Sequence, residues 1–166
     1  YNLEQVEILR GPNALLFGRG GTGGILNRVT KKAVIGDSFT GMQAGIDTFG
    51  EHNIQADTNI AINDTTALRI NAFYEGLDND RDFYDGDRVG INPTVKFVLG
   101  DATTLDLSYE YIVHDRFIDR GIPIGSDGRP ATELDDIVFG DKNLNENKLE
   151  AHLYRASLQH EFNNDL

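Results

Sequence analysis

Residues 18–24 read Gly-Arg-Gly-Gly-Thr-Gly-Gly, and Gly18, Gly20 and Gly23 meet the G-x-G-x-x-G spacing that cradles a pyrophosphate in dinucleotide-binding folds. That chemistry needs a strand leading in and a helix leading out, because the phosphate rests on the helix's unpaired N–H groups. Here the order is reversed. Residues 13–17, after Gly11-Pro12, read as one helical turn, while Gly24–Thr30 alternates and is rich in β-branched residues, which predicts a strand. Asp78, Asp80 and Asp82 have the spacing of a calcium loop, but Phe83 stands where glycine is needed and Val89 where the bidentate glutamate belongs. At most a looser calcium contact between loops is left. His52, His114, His152 and His160 are scattered, and without cysteine they form neither a zinc set nor a disulfide framework. No nucleophile, base and orienting acid fall at suggestive positions, so no enzyme, metal site or intrinsic cofactor is expected.

The elements carrying these residues follow from charge and periodicity. A net charge of −12 and a pI near 4.6 argue against nucleic acid as a partner. The charge is uneven. Arg10, Arg19, Arg28, Lys31 and Lys32 outweigh Glu4 and Glu7 over residues 1–35, so the acidity lies entirely beyond them and two differently surrounded parts are expected, 1–35 and 36–166. The chain opens at Tyr1-Asn2-Leu3 with no signal-peptide pattern, as expected of a fragment. No apolar run approaches the ~20 residues of a membrane-spanning helix, which leaves a transmembrane β-barrel open.

From Ser38 onward the period is two. Met42, Ala44 and Ile46 share one face; so do Ile54, Ala56, Thr58, Ile60 and Ile62, with Asn53, Gln55, Asp57 and Asn59 opposite. Leu68, Ile70, Ala72 and Tyr74 oppose Arg69, Asn71, Phe73 and Glu75, where one aromatic interrupts the polar side. Three further strands centre on 89–99, 105–113 and 154–162. Pro93 inside the fourth strand predicts a bulge or local edge. The strands are near the roughly 9–11 residues that cross a bilayer at a tilt. Tight turns at 63–66, 100–103 and 163–165 alternate with long acidic connections near 78–88 and 115–148, and the short connection at 49–51 is the exception. Phe49, Tyr74, Tyr109, Tyr111 and Phe162 fall toward strand ends or on the apolar side, as an interfacial girdle would. This predicts an all-β fold, a partial transmembrane antiparallel barrel of about six strands; the alternative is a soluble or surface β-sheet binding module without a transport role. A membrane-embedded enzyme barrel has the least support.

The run VEILRGPNALLFGRGGTGGILNRVTKK, residues 6–32, resembles the end of the plug domain of TonB-dependent outer-membrane receptors: a V-E-I-L strand, R-G-P, a short turn ending in an aromatic and glycine, a glycine-rich turn and a strand closing on N-x-V-T-K. Residues 67–78 and 105–125, with LSYEY and DRGIP, are similar to the early barrel of the siderophore branch. The resemblance implies the C-terminal part of a plug at 1–35 and the first barrel strands at 36–166. It also implies uptake of a ferric siderophore, of catecholate type from the likeness around FGRGGTGG, in the outer membrane of a Gram-negative bacterium. Partners would be outer-membrane lipid and TonB, which engages an N-terminal box that this sequence lacks.

The resemblance also nominates residues. Phe17 matches an aromatic at a plug apex facing the ligand, with packing inside the plug as the other reading. Arg19 faces either an anionic chelate or solvent. Glu7 and Arg10 resemble plug positions paired with charges on the barrel wall. Gly18, Gly20, Gly21, Gly23 and Gly24 then serve tight reversal and close backbone approach. In the long connections Arg81, Phe83, Tyr84, Arg116, Phe117 and Arg120 combine cations with aromatics, suited to planar anionic chelates or simply to a solvated loop.

Overall fold

The computed structural model describes residues 1–11, 24–81, 83–135 and 137–162. Two antiparallel sheets form. β1 (Leu3–Arg10) and β2 (Gly24–Thr30) make a two-stranded ribbon, with Val6 opposite Arg28 and Arg10 opposite Gly24. β3 (Phe39–Ile46), β4 (His52–Asn63), β5 (Thr66–Asp78), β6 (Asp85–Gly100), β7 (Thr103–Phe117) and β8 (Glu146–His160) form a six-stranded meander in chain order. The sheet is open, since β3 and β8 are its two ends. Among the described residues no helix is long and apolar enough to cross a membrane, which says nothing about strands.

The strand expected at Gly24–Thr30 is present, and Gly24 shows why a glycine opens it: φ is +147°, and a Cβ there would lie 2.6 Å from the Leu9 carbonyl oxygen. The turn expected at 13–17, and Phe17, Gly18, Arg19, Gly20, Gly21 and Gly23, lie outside the described residues, as does the turn at 163–165.

Side-chain alternation survives intact across the meander because each register is nearly continuous. Thr58 faces Ile70, Ile70 faces Pro93 and Val95 faces Leu107, so the apolar sets of neighbouring strands share one side. That side is bare: Met42 is 72% exposed, Ile46 80% and Leu158 67%. The polar side is covered. Asn59, Arg69, Asn71, Asn92, Thr94 and Glu110 are buried, whereas only Ala33, Ala67, Phe117 and Ala131 are buried among the hydrophobic residues described. This is the reverse of a water-soluble domain, in which buried polar groups are the exception. Among the described residues no second layer covers the apolar side.

Two expectations need correction. Pro93 produces no bulge: β6 and β7 keep one register from Ile91–Tyr111 to Thr94–Ser108. Its missing N–H is replaced. The Val98 amide donates toward β5, to the Thr65 carbonyl, so by alternation position 93 faces β7, where the Asn92 side-chain amide donates to the Tyr109 carbonyl at 2.7 Å. The strands also run further than alternation predicts. The connection after β5 is only 79–84, and that after β7 is 118–145, because β6 starts at Asp85 and β8 at Glu146. Arg116 and Phe117 therefore belong to β7 rather than to a loop.

Candidate functional site: the ribbon–sheet seam and the outer rim

The polar side of the meander is occupied by the ribbon and the segment leaving it. Asp57 of β4 takes two cations at once: the Arg69 guanidinium binds it through Nε at 2.8 Å and Nη2 at 2.7 Å, and Lys31 Nζ sits 2.9 Å away. The two-pronged Arg69 contact is the strong, orienting kind. The Arg69 Nη1 donates to the Lys32 carbonyl at 3.0 Å and lies 3.6 Å from Glu4. Lys32 in turn reaches Asp106 of β7 at 3.0 Å, where Lys96 is also 3.3 Å away.

Asn59 grips the linker between ribbon and sheet. Its Oδ1 accepts from the Val34 N–H at 3.0 Å, and its Nδ2 donates to the Val34 and Asp37 carbonyls at 2.9 and 2.7 Å. Glu110 of β7 is the hub further up. It accepts from Asn2 at 2.9 Å, from the Tyr1 hydroxyl at 3.2 Å and from Arg155 at 3.2 Å. Burial, reinforced by the neighbouring Glu110 carboxylate, pushes the Tyr1 phenol well above its usual range, so it stays a neutral donor. The Tyr1 ring lies 4.4 Å from that of Phe73, which explains the aromatic on the polar side. Gly90 beside them leaves the space, since a Cβ there would approach Tyr1 Cζ to 3.1 Å.

The sequence reading misses most of this set. Tyr1 and Asn2 carry no motif, Lys31 and Lys32 close the run at 6–32 without an assigned partner, and although Asp57, Asn59, Arg69, Asn92 and Glu110 all stand on the polar side of the alternation, periodicity alone does not say which of them meets a partner. Glu7 and Arg10 were the expected charge partners. Among the described residues Glu7 accepts from Gln5 and Asn27 within the ribbon, at 2.6 and 2.8 Å, and Arg10 makes no ion pair.

At the opposite rim, Arg81 lies in the 79–84 connection. It pairs with Asp119 and donates to the Asp135 and Ile137 carbonyls. Tyr84 is half-buried and its N–H donates to the Arg81 carbonyl at 3.3 Å. Arg116 is exposed at the end of β7, Phe117 is 4% exposed and packed under the rim, and Arg120 is exposed in 118–145. A cleft of about 410 Å³ brings Arg116, Phe117, Phe83 and Lys142 together with Asp85, Asp115 and Glu146. It does not include Arg81, Tyr84 or Arg120. Lys142 Nζ lies 5.8 Å from the centre of the Phe83 ring.

The outward side supplies the rest of the definition. Tyr74, Tyr109 and Tyr111 face out, hydrogen-bonded to Asp87, His152 and Glu150. The row His52, Gly76, Asp87, Asp115, Lys148 crosses the strands just above Tyr74, with Val113 between it and Tyr111, and ends the apolar band, while Tyr109 stands lower, level with Pro93 and Ile70. An apolar band on one side and buried polar residues on the other are features shared with the walls of outer-membrane β-barrels.

Comparison with known proteins narrows the class. The chain is 37% identical over 139 residues to the probable TonB-dependent receptor BfrD of Bordetella pertussis, covering 80% of this chain and 18% of that protein. It is 36% identical over 133 residues to the catecholate siderophore receptor Fiu of Escherichia coli K12, covering 79% of this chain and 17% of Fiu. The open-form crystal structure of Fiu superposes with a TM-score of 0.70 over 76% of this chain and 20% of that one. The fold also matches P. aeruginosa FpvA in a ferric pyoverdine complex, with a TM-score of 0.86 at 20% identity over 98% of this chain and 22% of FpvA. No family model matches. The chain belongs to the TonB-dependent siderophore receptors, outer-membrane proteins of Gram-negative bacteria that act as receptors and transporters, not enzymes. It spans less than a quarter of the length of each of these relatives.

Proposed function

We propose that this chain contributes the C-terminal part of the plug, residues 1–35, and the first strands of the barrel wall, residues 36–166, to a receptor that takes up a ferric siderophore with energy delivered through TonB. The observation that carries the reading is the inverted sheet: its polar side is tied through Asp57, Asn59, Asp106 and Glu110 to the residues that flank the ribbon, while its apolar side is left for lipid. A wall of this kind has a use only where lipid lies on one side and an aqueous lumen on the other.

The ligand reading is a ferric chelate of catecholate type, held by the plug apex at Phe17 and Arg19 together with the outer connections. Its support is the 36% identity to a protein named as a catecholate siderophore receptor, along with the cations and aromatics of the rim. The TonB contact belongs to an N-terminal box outside these residues. The test is growth of a host lacking the parent gene on defined ferric chelates as sole iron source. Loss of growth on ferric catecholates, restored by the full-length receptor, is expected. Unchanged iron uptake across all chelates would overturn the reading and point to a vitamin or glycan substrate.

A further inference from the structure

Arg81 carries more contacts than a ligand-facing loop cation needs. Its side chain is 17% exposed and that of its partner Asp119 12%. Beyond the ion pair, Nη2 donates to Asp119 Oδ1 at 3.2 Å and to the Ile137 carbonyl at 3.0 Å, and Nη1 donates to the Asp135 carbonyl. All three acceptors belong to 118–145, whereas Arg81 belongs to 79–84, held there by its own N–H on Asn79 Oδ1 at 2.8 Å.

The 118–145 connection is internally folded. Ile124 bridges Pro130, the Ala131 N–H donates to the Pro123 carbonyl at 3.0 Å, Thr132–Leu134 is a 3-10 turn, and Ile118 N–H closes the base on the Asn145 carbonyl at 2.7 Å. Asp119 adds a turn of its own, accepting from the Gly121 N–H at 2.8 Å. Such a unit moves as a body unless something outside it is attached. Among the described residues a second attachment to 79–84 is the exposed Lys142–Phe83 contact, with Phe83 at φ +65° and 57% exposed.

We infer that Arg81 is a positioning residue that latches the two outer connections together and fixes 118–145 over the rim, rather than a group that touches the ligand. The inference rests on the reading of these connections as the ligand mouth. A planar guanidinium serves a carboxylate and two carbonyls at once, whereas a lysine ammonium offers no such fork.

The test uses the full-length receptor in detergent without ligand, comparing Arg81→Ala, Arg81→Lys and Asp119→Asn by hydrogen exchange and mass spectrometry. Amides of 119–137 are expected to exchange about tenfold faster or more in Arg81→Ala, those of β6 and β7 to stay unchanged, and Asp119→Asn to follow in the same direction. In cells the half-saturating concentration of ferric catecholate should rise while the maximal uptake rate holds. Unchanged exchange in the ligand-free Arg81→Ala protein together with weaker ligand binding would make Arg81 a contact residue and overturn the latch. Faster exchange in a receptor whose wild type imports no ferric chelate would uphold the latch and remove only the transport reading.

Discussion

Asp57 holds Arg69 and Lys31 simultaneously and is the nearest carboxylate to both of these buried or half-buried cations. Replacing it by asparagine leaves both in a site where water cannot substitute freely, and Asp57→Asn is expected to weaken ribbon docking by about 3 kcal/mol. Hydrogen exchange of β2 amides in the full-length receptor measures that opening. Asn59 and Asn71 make a sharper contrast. Both are fully buried on the same side of the sheet, yet Asn59 makes three hydrogen bonds while both ends of the Asn71 amide are without a partner among the described residues. Asn59→Leu should therefore cost about 2–3 kcal/mol and Asn71→Leu less than about 1 kcal/mol, because removing an unsatisfied polar group forfeits nothing. Thermal unfolding of the two variants side by side gives the comparison.

At the level of the strand, what could be read in advance was whatever depends on local order. Alternation from Met42 to Leu107 predicts the sides correctly because a residue's side is fixed by its parity. It does not predict where a strand stops. Asp85, Asp87, Asp115 and Arg116 look like loop residues by type, but here the ladder continues past the lipid boundary into the rim. Nor does it reveal that Asn92 stands in for Pro93, since that substitution involves a carbonyl seventeen residues away on β7. The replacement is testable. Asn92→Leu leaves the Tyr109 carbonyl bare and should destabilise the sheet by about 1–3 kcal/mol, and adding Pro93→Ala, which restores the backbone donor, should recover part of the loss. On the other side, Ile70→Arg places a charge in the middle of the apolar band and should cost about 2–4 kcal/mol in a bilayer, where Gln43→Arg on the polar side costs far less. Folding titrations into lipid vesicles separate the two.

For the molecule as a whole, the seam is where sequence reading was weakest and the structure most informative. Among the described residues the ties to the wall are Lys31–Asp57, Lys32–Asp106 and Glu4–Arg69, pairings that neither the resemblance nor the alternation singles out. The partners lie from 26 to 74 positions apart, and no local pattern encodes which of several polar side chains will meet across such a span. Because these ties are charged and partly solvated, docking should soften with salt. Exchange of the ribbon amides at low and at high ionic strength is expected to show faster opening in salt, with the centre of the meander unaffected.

The grip of Asn59 and Arg69 on the linker has a consequence for tolerance to change. Both side chains hold carbonyls and an N–H of residues 32–37 and read none of the side chains there. A clasp that closes on the main chain is indifferent to the lettering it encloses: Val34, Ile35 and Asp37 are free to drift in identity, while the two wall residues that form the clasp are not.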